Sequence, residues 1–472
     1  MGVLPAEGAR FEVSVPVLIV GAGACGCTAA LAVHERGAAV MVLERDETPR
    51  GNTALSGGQI PAAGTALQRA AGIEDTPEIL ADDLIRKARG QNDGELARHL
   101  ARESARTVDW LIETHHVPLS LVDDFRYPGH SRPHMHGTPG RYGAELLAAL
   151  LRAVARARID LVTSAPVTDL FADAAGRVHG ARITRPDGSV EDIGCQALIL
   201  ACNGFGGNRE MLRAYIPAMA DAHYHGHEGN TGEAVRWGVA LGAAVADLGS
   251  FQGHGAVTTP HHIHIGWPSI TEGGFQVNAR GERFSNENAG YSEQALEVMR
   301  QPGGVAWTIF DERCHRIALQ LHSHQLALEA GAIPTAATVE EIARLAGCPA
   351  EALARTVREV EETARGERRD PFGRDFTTHA PLRPPYRVAK VTGALFHTQG
   401  GLVVDRQGRV LRNDGTPLPN LFAGGGAARG LSGPADWGYL SGSGLLMATG
   451  LGRLAGEAAA RLVEAAGRVI AD

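Results

Sequence analysis

The stretch Val17-Leu18-Ile19-Val20-Gly21-Ala22-Gly23-Ala24-Cys25-Gly26 decides the fold predicted for this chain. Its four branched apolar residues predict a buried parallel strand, and a G-x-G-x-x-G spacing follows directly. In such a turn the first glycine allows a tight bend, the second lets the backbone approach a pyrophosphate, and the third lets the next helix pack closely. The phosphates then lie at a helix N-terminus. We therefore predict a dinucleotide site formed by Gly21, Ala22, Gly23, Ala24 and Gly26.

The residues after this turn complete a strand, helix and strand unit. An alanine-rich helical run leads to a second apolar strand that ends at Glu44 and Arg45. A carboxylate at this place can bind a ribose hydroxyl. A glycine-rich turn alone is also compatible with a purely structural bend, but here strand, helix, second strand and terminal acid occur in order. The sequence thus predicts an α/β fold with a bound dinucleotide.

Length and composition favour a globular protein of two domains, because 472 residues exceed the usual size of one hydrophobic core. The net charge of -8 argues against a nucleic-acid partner. Six cysteines without C-x-x-C spacing are typical of reduced thiols and give no sign of a metal centre. The N-terminus lacks a signal-peptide pattern, and no apolar run approaches the roughly 20 residues of a membrane span. We expect a cytoplasmic protein without a membrane span.

A second turn-rich segment, Arg50–Gly58, contains the sequence G-N-T-A-L-S-G-G. Together with the opening fingerprint, it resembles the FAD-binding module of the fumarate reductase and 3-ketosteroid dehydrogenase superfamily of flavoproteins. The resemblance implies a Rossmann-like FAD-binding domain of the glutathione-reductase type with an inserted α+β capping domain. Members with covalent flavin have a histidine where this chain has Asn52, so noncovalent FAD is implied. The implied cofactor residues of this segment are Asn52, Thr53, Ser56, Gly57 and Gly58.

Further segments resemble the same superfamily. An apolar strand runs into Ala201-Cys202-Asn203-Gly204, close to the family's A-T-G-G, and Asn230-Thr231-Gly232-Glu233 resembles its T-G-D-G turn. Asn420–Gly426 resembles the strand that brings backbone to the flavin, and a helix near Ser443 has an N-terminus that can stabilise negative charge on the reduced ring. The implied cofactor residues are Val167, Ala201, Asn203, Gly204, Asn230, Glu233, Gly425, Gly426, Gly444 and Leu445.

The resemblance and a shift in composition divide the chain into three parts. Residues 1–250 form the N-terminal part of the FAD-binding domain, residues 251–381 the capping and substrate domain, and residues 382–472 the C-terminal part of the FAD-binding domain. Within the cap, the spacing of Leu and Val over Thr338–Arg365 predicts two packed helices on either side of a Gly-Cys-Pro break.

Four side chains are the implied substrate contacts. His254, in Q-G-H, and His397, in H-T-Q-G-G, match family motifs whose histidines face the substrate. Members that reduce fumarate use three arginines, and here Tyr291 and Tyr439 replace two of them while the loop of the third is shortened. A phenol lacks the charge and forked geometry that bind a dicarboxylate. The Y-x-S-G sequence of Tyr439–Gly442 resembles the ketosteroid 4-dehydrogenase members.

These residues predict α,β-desaturation of a cyclic or steroid-like ketone. Tyr439 and the backbone N–H near Gly442 would polarise the carbonyl, and Tyr291 would take the α-proton with help from His254 or His397. The hydride would pass to the flavin and then to an unidentified electron acceptor. Three alternatives stay open: tyrosines that merely pack beside the ring, an ene-reductase acting on an enoate, and a flavin electron carrier without a small substrate.

Two histidine-rich segments also invite interpretation. In residues 125–136 the residues Tyr127 and His134 are candidates to line the substrate site. His262 and His264 alternate as on one face of a strand. A metal site is disfavoured in both segments, since no further ligand stands at a recognisable spacing.

Overall fold

The structure is a computed structural model that describes residues 2–471. Its strands are β1 (Gly2–Pro5), β2 (Val13–Val20), β3 (Val40–Leu43), β4 (Gln59–Pro61), β5 (Ser120–Leu121), β6 (Met135–Gly137), β7 (Asp160–Val162), β8 (Val167–Ala172), β9 (Val178–Thr184), β10 (Val190–Leu200), β11 (His223–Tyr224), β12 (Val245–Ala246), β13 (Phe251–Thr258), β14 (Phe275–Val277), β15 (Val305–Asp311), β16 (Thr335–Ala336), β17 (Tyr386–Thr398), β18 (Gly401–Leu402), β19 (Arg409–Leu411) and β20 (Pro417–Ala423).

The helices of the described residues are α1 (Ala24–Glu35), α2 (Gly51–Leu55), α3 (Ala66–Ala70), α4 (Pro77–Lys87), α5 (Gly94–Glu113), α6 (Gly143–Arg156), α7 (Arg209–Tyr215), α8 (Glu233–Ala240), α9 (Pro268–Thr271), α10 (Tyr291–Met299), α11 (Glu312–Ala318), α12 (His322–Glu329), α13 (Val339–Ala346), α14 (Ala350–Ala364), α15 (Ser443–Leu446) and α16 (Gly452–Ala471). A π-helical turn, Met447–Leu451, joins the last two. No helix among residues 2–471 has the length and apolar character needed to cross a membrane.

The first sheet has a parallel centre in the order β20, β10, β2, β3, β7. The N-terminal half of β10 also pairs antiparallel with β9, which extends the sheet to β8 and β1. Leu18 and Ile19 of β2 are fully buried, as expected for a parallel strand covered on both faces. Burying each such side chain contributes roughly 1.5–3 kcal/mol. The predicted α/β, Rossmann-like fold is therefore confirmed.

Small residues let α1 pack closely between the sheet and α16. A Cβ atom on Gly26 would lie 1.8 Å from the carbonyl oxygen of Gly21, and one on Gly456 would lie 2.3 Å from that of Ala29. Neither position accepts a side chain without a backbone shift. The third glycine of the fingerprint thus fixes how the helix N-terminus meets the turn that precedes it.

A second sheet is built around the long strand β17. It pairs antiparallel with β13, β15 and β16 and parallel with β11, and β14 adds beyond β15. Helices α13 and α14 lie where Thr338–Arg365 predicts two packed helices. Strands β13, β14, β15 and β16 of this sheet lie within the predicted cap, residues 251–381, whereas β11 and β17 lie outside it. The three-part division of the chain stays a prediction.

A buried group of charges ties the second sheet to the loops around it. Arg283 donates to the Glu287 carboxylate at 2.8 and 2.9 Å, and Arg374 donates to the same carboxylate at 3.1 Å. The side chains of Glu287 and Arg374 are 1% and 2% exposed. Burial alone would raise the pKa of Glu287, but the two guanidinium groups outweigh it and lower that pKa to about 2. Glu287 is therefore ionised and structural.

Candidate active site

One long cavity runs from the carboxyl ends of the parallel strands to the second sheet. This is the edge at which open α/β sheets bind ligands. Most of the predicted cofactor residues line it: Gly21, Gly23, Ala24, Glu44, Arg45, Asn52, Thr53, Ser56, Gly57, Val167, Ala201, Asn203, Asn230, Glu233, Gly425, Gly426, Gly444 and Leu445.

Four predicted cofactor residues lie behind the cavity wall. Ala22 donates its N–H to the Glu44 carboxylate at 2.8 Å. Gly26 meets the backbone of the turn, as described above. At Gly58 and Gly204 a Cβ would lie 2.7 Å from the Tyr142 carbonyl oxygen and 2.1 Å from the Thr398 hydroxyl. These residues shape the wall through packing.

The turn after β2 leaves room for a phosphate group. Gly21 has a φ of +105°, and a Cβ there would lie 2.6 Å from the Ala201 carbonyl oxygen, so the two chain segments meet without side chains. Thr53 accepts the Ala24 N–H at 3.0 Å and joins the helix N-terminus to the second predicted segment. Gly21, Gly23 and Thr53 thus line the cavity where the fingerprint predicts a pyrophosphate.

A buried carboxylate lies further along the same cavity. Glu233 is 2% exposed, and one of its oxygens receives Arg45 at 3.0 Å. Its other oxygen, Oε2, has no hydrogen-bond partner among residues 2–471. A buried, unpaired carboxylate oxygen is costly unless a ligand donates to it. Ribose hydroxyls are donors of that kind, so the cavity fits the predicted dinucleotide.

Asn52 is held by protein contacts on both sides of its amide. Its oxygen accepts the His227 N–H and the Asn230 amide at 2.8 Å each, and its nitrogen donates to the Phe396 carbonyl at 3.3 Å. An amide is not a nucleophile, so this side chain offers no group for a bond to flavin. Noncovalent attachment remains a prediction from this position.

Three phenols lie together at the far end of the cavity. The ring of Tyr291 is 6.1 Å from those of Tyr127 and Tyr439, centroid to centroid. Tyr291 hydrogen-bonds the side chains of Ser441 and Tyr439. The N–H groups of Gly444 and Gly442 donate to the Tyr439 oxygen. Burial raises the pKa of Tyr291 well above its usual value and that of Tyr439 to about 12. Both are therefore neutral donors at pH 7.

The two predicted histidines contact these phenols through ring faces and edges. His254 stacks on Tyr291 at 5.0 Å, and its Nδ1 accepts the Ala256 N–H at 3.1 Å. His397 meets Tyr439 edge to face at 5.6 Å, and its Nδ1 lies 2.7 Å from the Gln399 amide nitrogen. Burial lowers the pKa of His254 to about 3 and that of His397 to about 4. Both imidazoles are neutral.

Further rings cover the same end of the cavity. Phe396 stacks on His254 at 5.1 Å and on His225 at 4.7 Å, while Trp267 meets Tyr291 edge to face. His264 lies 5.3 Å from His254. His262 has a φ of +58°, and Ile263 lines the cavity together with His262 and His264, so these residues do not alternate as in a strand. His225 belongs to no motif in the sequence, and only the pairing of β11 with β17 brings it here.

The only cationic side chains that line the cavity within residues 2–471 are Arg45 and Arg141. Arg45 is bound by Glu233, as described above. Arg141 forms two hydrogen bonds of 2.8 and 3.0 Å to Asp124. Sequence analysis does not predict Arg141 here, since it follows a turn without a recognised motif. Its guanidinium is already paired with a carboxylate.

Of the two loop candidates, Tyr127 lines the cavity and His134 does not. Gln59 lies near the Tyr127 hydroxyl, and burial raises the pKa of this phenol to about 12. His134 lies behind the wall with His130 and Asp83, and ligand-type atoms of these three residues lie within 4.8 Å of one another. The sequence disfavours a metal site in this segment. The Nδ1 atoms of His130 and His134 lie 3.0 Å apart, and His134 Nδ1 lies 3.7 Å from an Asp83 oxygen.

A capped cavity with a fingerprint turn at one end and paired phenols at the other defines a dinucleotide-dependent oxidoreductase of the flavoprotein class. The family model described as "FAD binding domain" matches residues 16–445, and the chain belongs to that family. It is an FAD-dependent oxidoreductase that acts on CH–CH bonds. The predicted superfamily, cofactor and enzyme class are confirmed.

Three similar proteins bear on the substrate. A probable fumarate reductase of Shewanella frigidimarina is 30% identical over 94% of this chain and 74% of its own length. The structure of 3-ketosteroid-Δ4-(5α)-dehydrogenase from Rhodococcus jostii, in complex with 4-androstene-3,17-dione, superposes with a TM-score of 0.75 at 25% identity over 96% of this chain and 98% of that one. A 4-oxocyclohex-2-ene-1-carboxylate 5-dehydrogenase of Sinomonas cyclohexanicum is 29% identical over 68% of this chain and 60% of its own length.

Gly26→Ala should weaken FAD retention, because the new methyl group would collide with the backbone of the phosphate turn. Overpacking of this kind costs about 1–3 kcal/mol. Thermal unfolding and the ratio of flavin to protein absorbance measure the two effects. Gly467→Ala is the matched control, since no atom lies within 4 Å of a Cβ at that helical position. Equal FAD content in both variants would contradict the packing role.

Proposed function

We propose that this enzyme desaturates a cyclic or steroid-like ketone between the carbons α and β to the carbonyl. The observation that carries the proposal is the pair of buried phenols Tyr291, at the start of α10, and Tyr439, just before α15, whose ring centroids lie 6.1 Å apart in the cavity. When bound, FAD supplies the acceptor for the hydride that such a reaction releases. The protein must then polarise the carbonyl and remove the α-proton.

Tyr439 is suited to polarise a ketone oxygen. Its own oxygen accepts the N–H groups of Gly442 and Gly444, which makes the phenol proton a better donor than that of a tyrosine without such partners. A neutral donor in a buried site stabilises the negative charge that develops on an enolate oxygen. We assign Tyr439 this role, with Gly442 as the residue that aims it.

Tyr291 is suited to take the α-proton in its deprotonated form. The hydrogen bond from Ser441 favours the phenolate form of Tyr291, and the Tyr439 proton is left for the ketone oxygen. Since burial raises its pKa well above the usual value, the deprotonated fraction rises about tenfold with each pH unit below that pKa. We assign His254 the task of holding this ring by stacking and His397 that of packing against Tyr439, since both histidines are neutral.

A second function, reduction of an enoate, is favoured by one observation. Arg141 lines the cavity, and its guanidinium can bind a carboxylate if it exchanges Asp124 for the substrate. The fumarate reductase relative is consistent with this direction. Against it, the three arginines of the fumarate-reducing members have no counterpart, and a single paired Arg141 is a weaker anchor.

Anaerobic mixing with candidate substrates separates these functions. We expect cyclohexanone, 4-oxocyclohexanecarboxylate or a steroid ketone to bleach the flavin absorbance of the oxidised holoenzyme. An enoate that reoxidises the reduced enzyme, with no bleaching by any ketone, would instead support the reductase. A protein that responds to no small molecule and exchanges electrons only with a carrier protein would contradict both.

The electron acceptor and the location of the enzyme belong to the same proposal. We propose that a separate quinone, carrier protein or dioxygen takes the electrons. All six cysteines are free thiols, which supports a reducing compartment such as the cytoplasm. Steady-state oxidation with each acceptor class, after ketone reduction, tests the first statement.

A further inference from the structure

A buried group of histidines and carboxylates lies directly behind the Tyr439–Gly442 turn. His130 and His134 come from the loop before β6, Asp83 lies on α4, and Asp75 precedes that helix. His134 and Asp75 have fully buried side chains, and that of Asp83 is 1% exposed. None of these four residues lines the cavity. Their contacts therefore serve the wall rather than a ligand within it.

The hydrogen bonds in this group indicate how many protons the His130 and His134 rings carry. His130 Nε2 lies 3.1 Å from the Ser441 carbonyl oxygen, which can only accept. His134 Nε2 lies 3.1 Å from the Asp75 carboxylate, whose Oδ2 also accepts the Gln68 amide at 2.7 Å. The Nδ1 atoms of the two histidines lie 3.0 Å apart, so one of them must donate. With the Asp75 carboxyl ionised, three N–H groups are therefore shared by two rings, whereas two neutral imidazoles carry only two.

The extra proton belongs to His134. This ring contacts both carboxylates, Asp75 through Nε2 and Asp83 through Nδ1 at 3.7 Å. His130 contacts neither carboxylate by hydrogen bond, and burial with the neighbouring His134 lowers its pKa to about 3. His134 thus donates from both nitrogens, and His130 accepts at Nδ1 and donates at Nε2.

Other charges around the group are already paired. Asp83 Oδ1 accepts a hydrogen bond from the Arg86 guanidinium. Asp83 Oδ2 accepts the backbone N–H and the hydroxyl of Ser131 at 2.6 and 3.0 Å. Lys87, one residue further on α4, is bound by Glu293 of α10. The imidazolium therefore faces two carboxylates, and no free cation of the described residues opposes it.

The group holds the turn that carries the catalytic phenol. The Ser441 carbonyl accepts His130, while the Ser441 side chain hydrogen-bonds Tyr291. Gly442 follows in the left-handed region with a φ of +78°, and a Cβ there would lie 2.8 Å from Pro61. The turn is thus fixed on both sides, by packing at Gly442 and by a charged network at Ser441.

We propose that His130 and His134 hold one buried proton between Asp75 and Asp83, and that this network positions the Tyr439–Gly442 turn for catalysis. The four are positioning residues, since none touches the cavity. The protonation state stands on the contacts alone. The catalytic consequence rests on the proposed ketone chemistry.

The proton count is tested by NMR of the holoenzyme labelled with ¹⁵N-histidine. The ¹⁵N signals of His134 are those that disappear in the His134→Gln variant, and we expect them to show two protonated ring nitrogens. We expect the His130 ring to show one protonated and one unprotonated nitrogen. Two neutral rings at this place would overturn the proposal. So would one equivalent of zinc that stays bound to the purified wild-type protein after chelator treatment and fails to bind His134→Gln.

The positioning role is tested with a phenolate that mimics a planar enolate. Oxidised holoenzyme is titrated with 4-chlorophenol, and binding is followed by the long-wavelength absorbance of a phenolate stacked on flavin. The affinity measures how well the hydrogen-bond donors of the turn are placed for the phenolate oxygen. We expect His130→Phe to weaken binding by about tenfold, because the turn loses one hydrogen bond. His130→Gln keeps an N–H donor on this side chain and should recover most of the affinity.

His136→Phe is the matched control, because His136 is buried on the same segment but bonds Thr65 and the His134 carbonyl instead of the turn. It should lower thermal stability as His130→Phe does and leave 4-chlorophenol binding within about twofold. Equal loss of binding in both variants would reduce the network to a general packing role and overturn the proposal. If the wild type binds no phenol, the proposed ketone function is contradicted. The number of protonated ring nitrogens seen by NMR still decides the protonation state of the two histidines.

Discussion

The substitution Tyr291→Phe is expected to lower the rate of flavin reduction by a ketone substrate about 10²-fold or more, the usual contribution of a positioned proton acceptor. The ring stays, so its stacking on His254 and its contacts with Tyr127 and Tyr439 are kept. Only the hydroxyl and its bonds to Ser441 and Tyr439 are lost. Anaerobic stopped-flow absorbance of the flavin measures the rate without a need to know the final acceptor.

Tyr386→Phe is a matched control for this experiment. Tyr386 is a buried phenol at the start of β17 and does not line the cavity. It should change turnover less than twofold, which keeps a general loss of stability apart from the loss of a proton acceptor. If Tyr291→Phe reduces flavin at the wild-type rate, the proton passes through another group and the assignment is wrong.

The direction of the reaction gives the pH dependence a definite sign. Burial raises the pKa of Tyr291 well above its ordinary value, so its deprotonated form is scarce at pH 7 and increases as pH rises. Desaturation should therefore become faster with pH up to the limit of protein stability. Enoate reduction uses the neutral phenol as a donor and should show no such increase. The slope of the wild-type profile should disappear in Tyr291→Phe.

The substitution Glu287→Gln is expected to lower the free energy of unfolding by about 3–5 kcal/mol, the cost of removing one partner from a buried ion pair. The two guanidinium groups of Arg283 and Arg374 are 6% and 2% exposed, and they would lose the carboxylate that they share. Arg374 would keep only the carbonyl oxygens of Gly274 and Ile270. Urea unfolding followed by fluorescence measures the change.

The same carboxylate predicts an acid limit for the fold. Its pKa is lowered to about 2 in the folded protein, below the ordinary value of 4.5, so its contribution is complete above pH 4.5 and is lost as pH falls toward 2. Glu282→Gln provides the control in the same segment, because its pair with Arg280 is exposed and should contribute less than about 1 kcal/mol. A Glu287→Gln protein as stable as that control would show that Arg374 finds other partners.

Local geometry explains what the sequence could predict. The fingerprint from Val17 to Gly26 acts through one turn, where each glycine has a steric task that its spacing reveals, and the structure gives Gly21 and Gly26 those close approaches. The strand, the helix and the acid at Glu44 follow from the same unit. Tyr291 and Tyr439 could be singled out because motifs of a known superfamily mark their positions.

Long-range placement explains what the sequence could not predict. Contacts between segments far apart in the chain place four residues at or behind the site: Arg141, His225, His130 and His134. The sequence next to these residues contains no motif that predicts those contacts. His130 bonds Ser441 across 311 positions. A histidine-rich loop without periodicity is compatible with a pocket lining or a solvent-facing loop, whereas the partners that bury His130 and His134 come from distant segments.

The course of β17 has a consequence for how a ligand enters. This strand is the centre of the second sheet and ends with His397 and Thr398. The Thr398 hydroxyl oxygen accepts the Phe205 N–H at 3.2 Å, while His397 lies against Tyr439. A hinge motion that swung the sheet outward would carry His397 away with it. The contact between His397 and Tyr439 is therefore made only while the second sheet lies against the wall of the cavity.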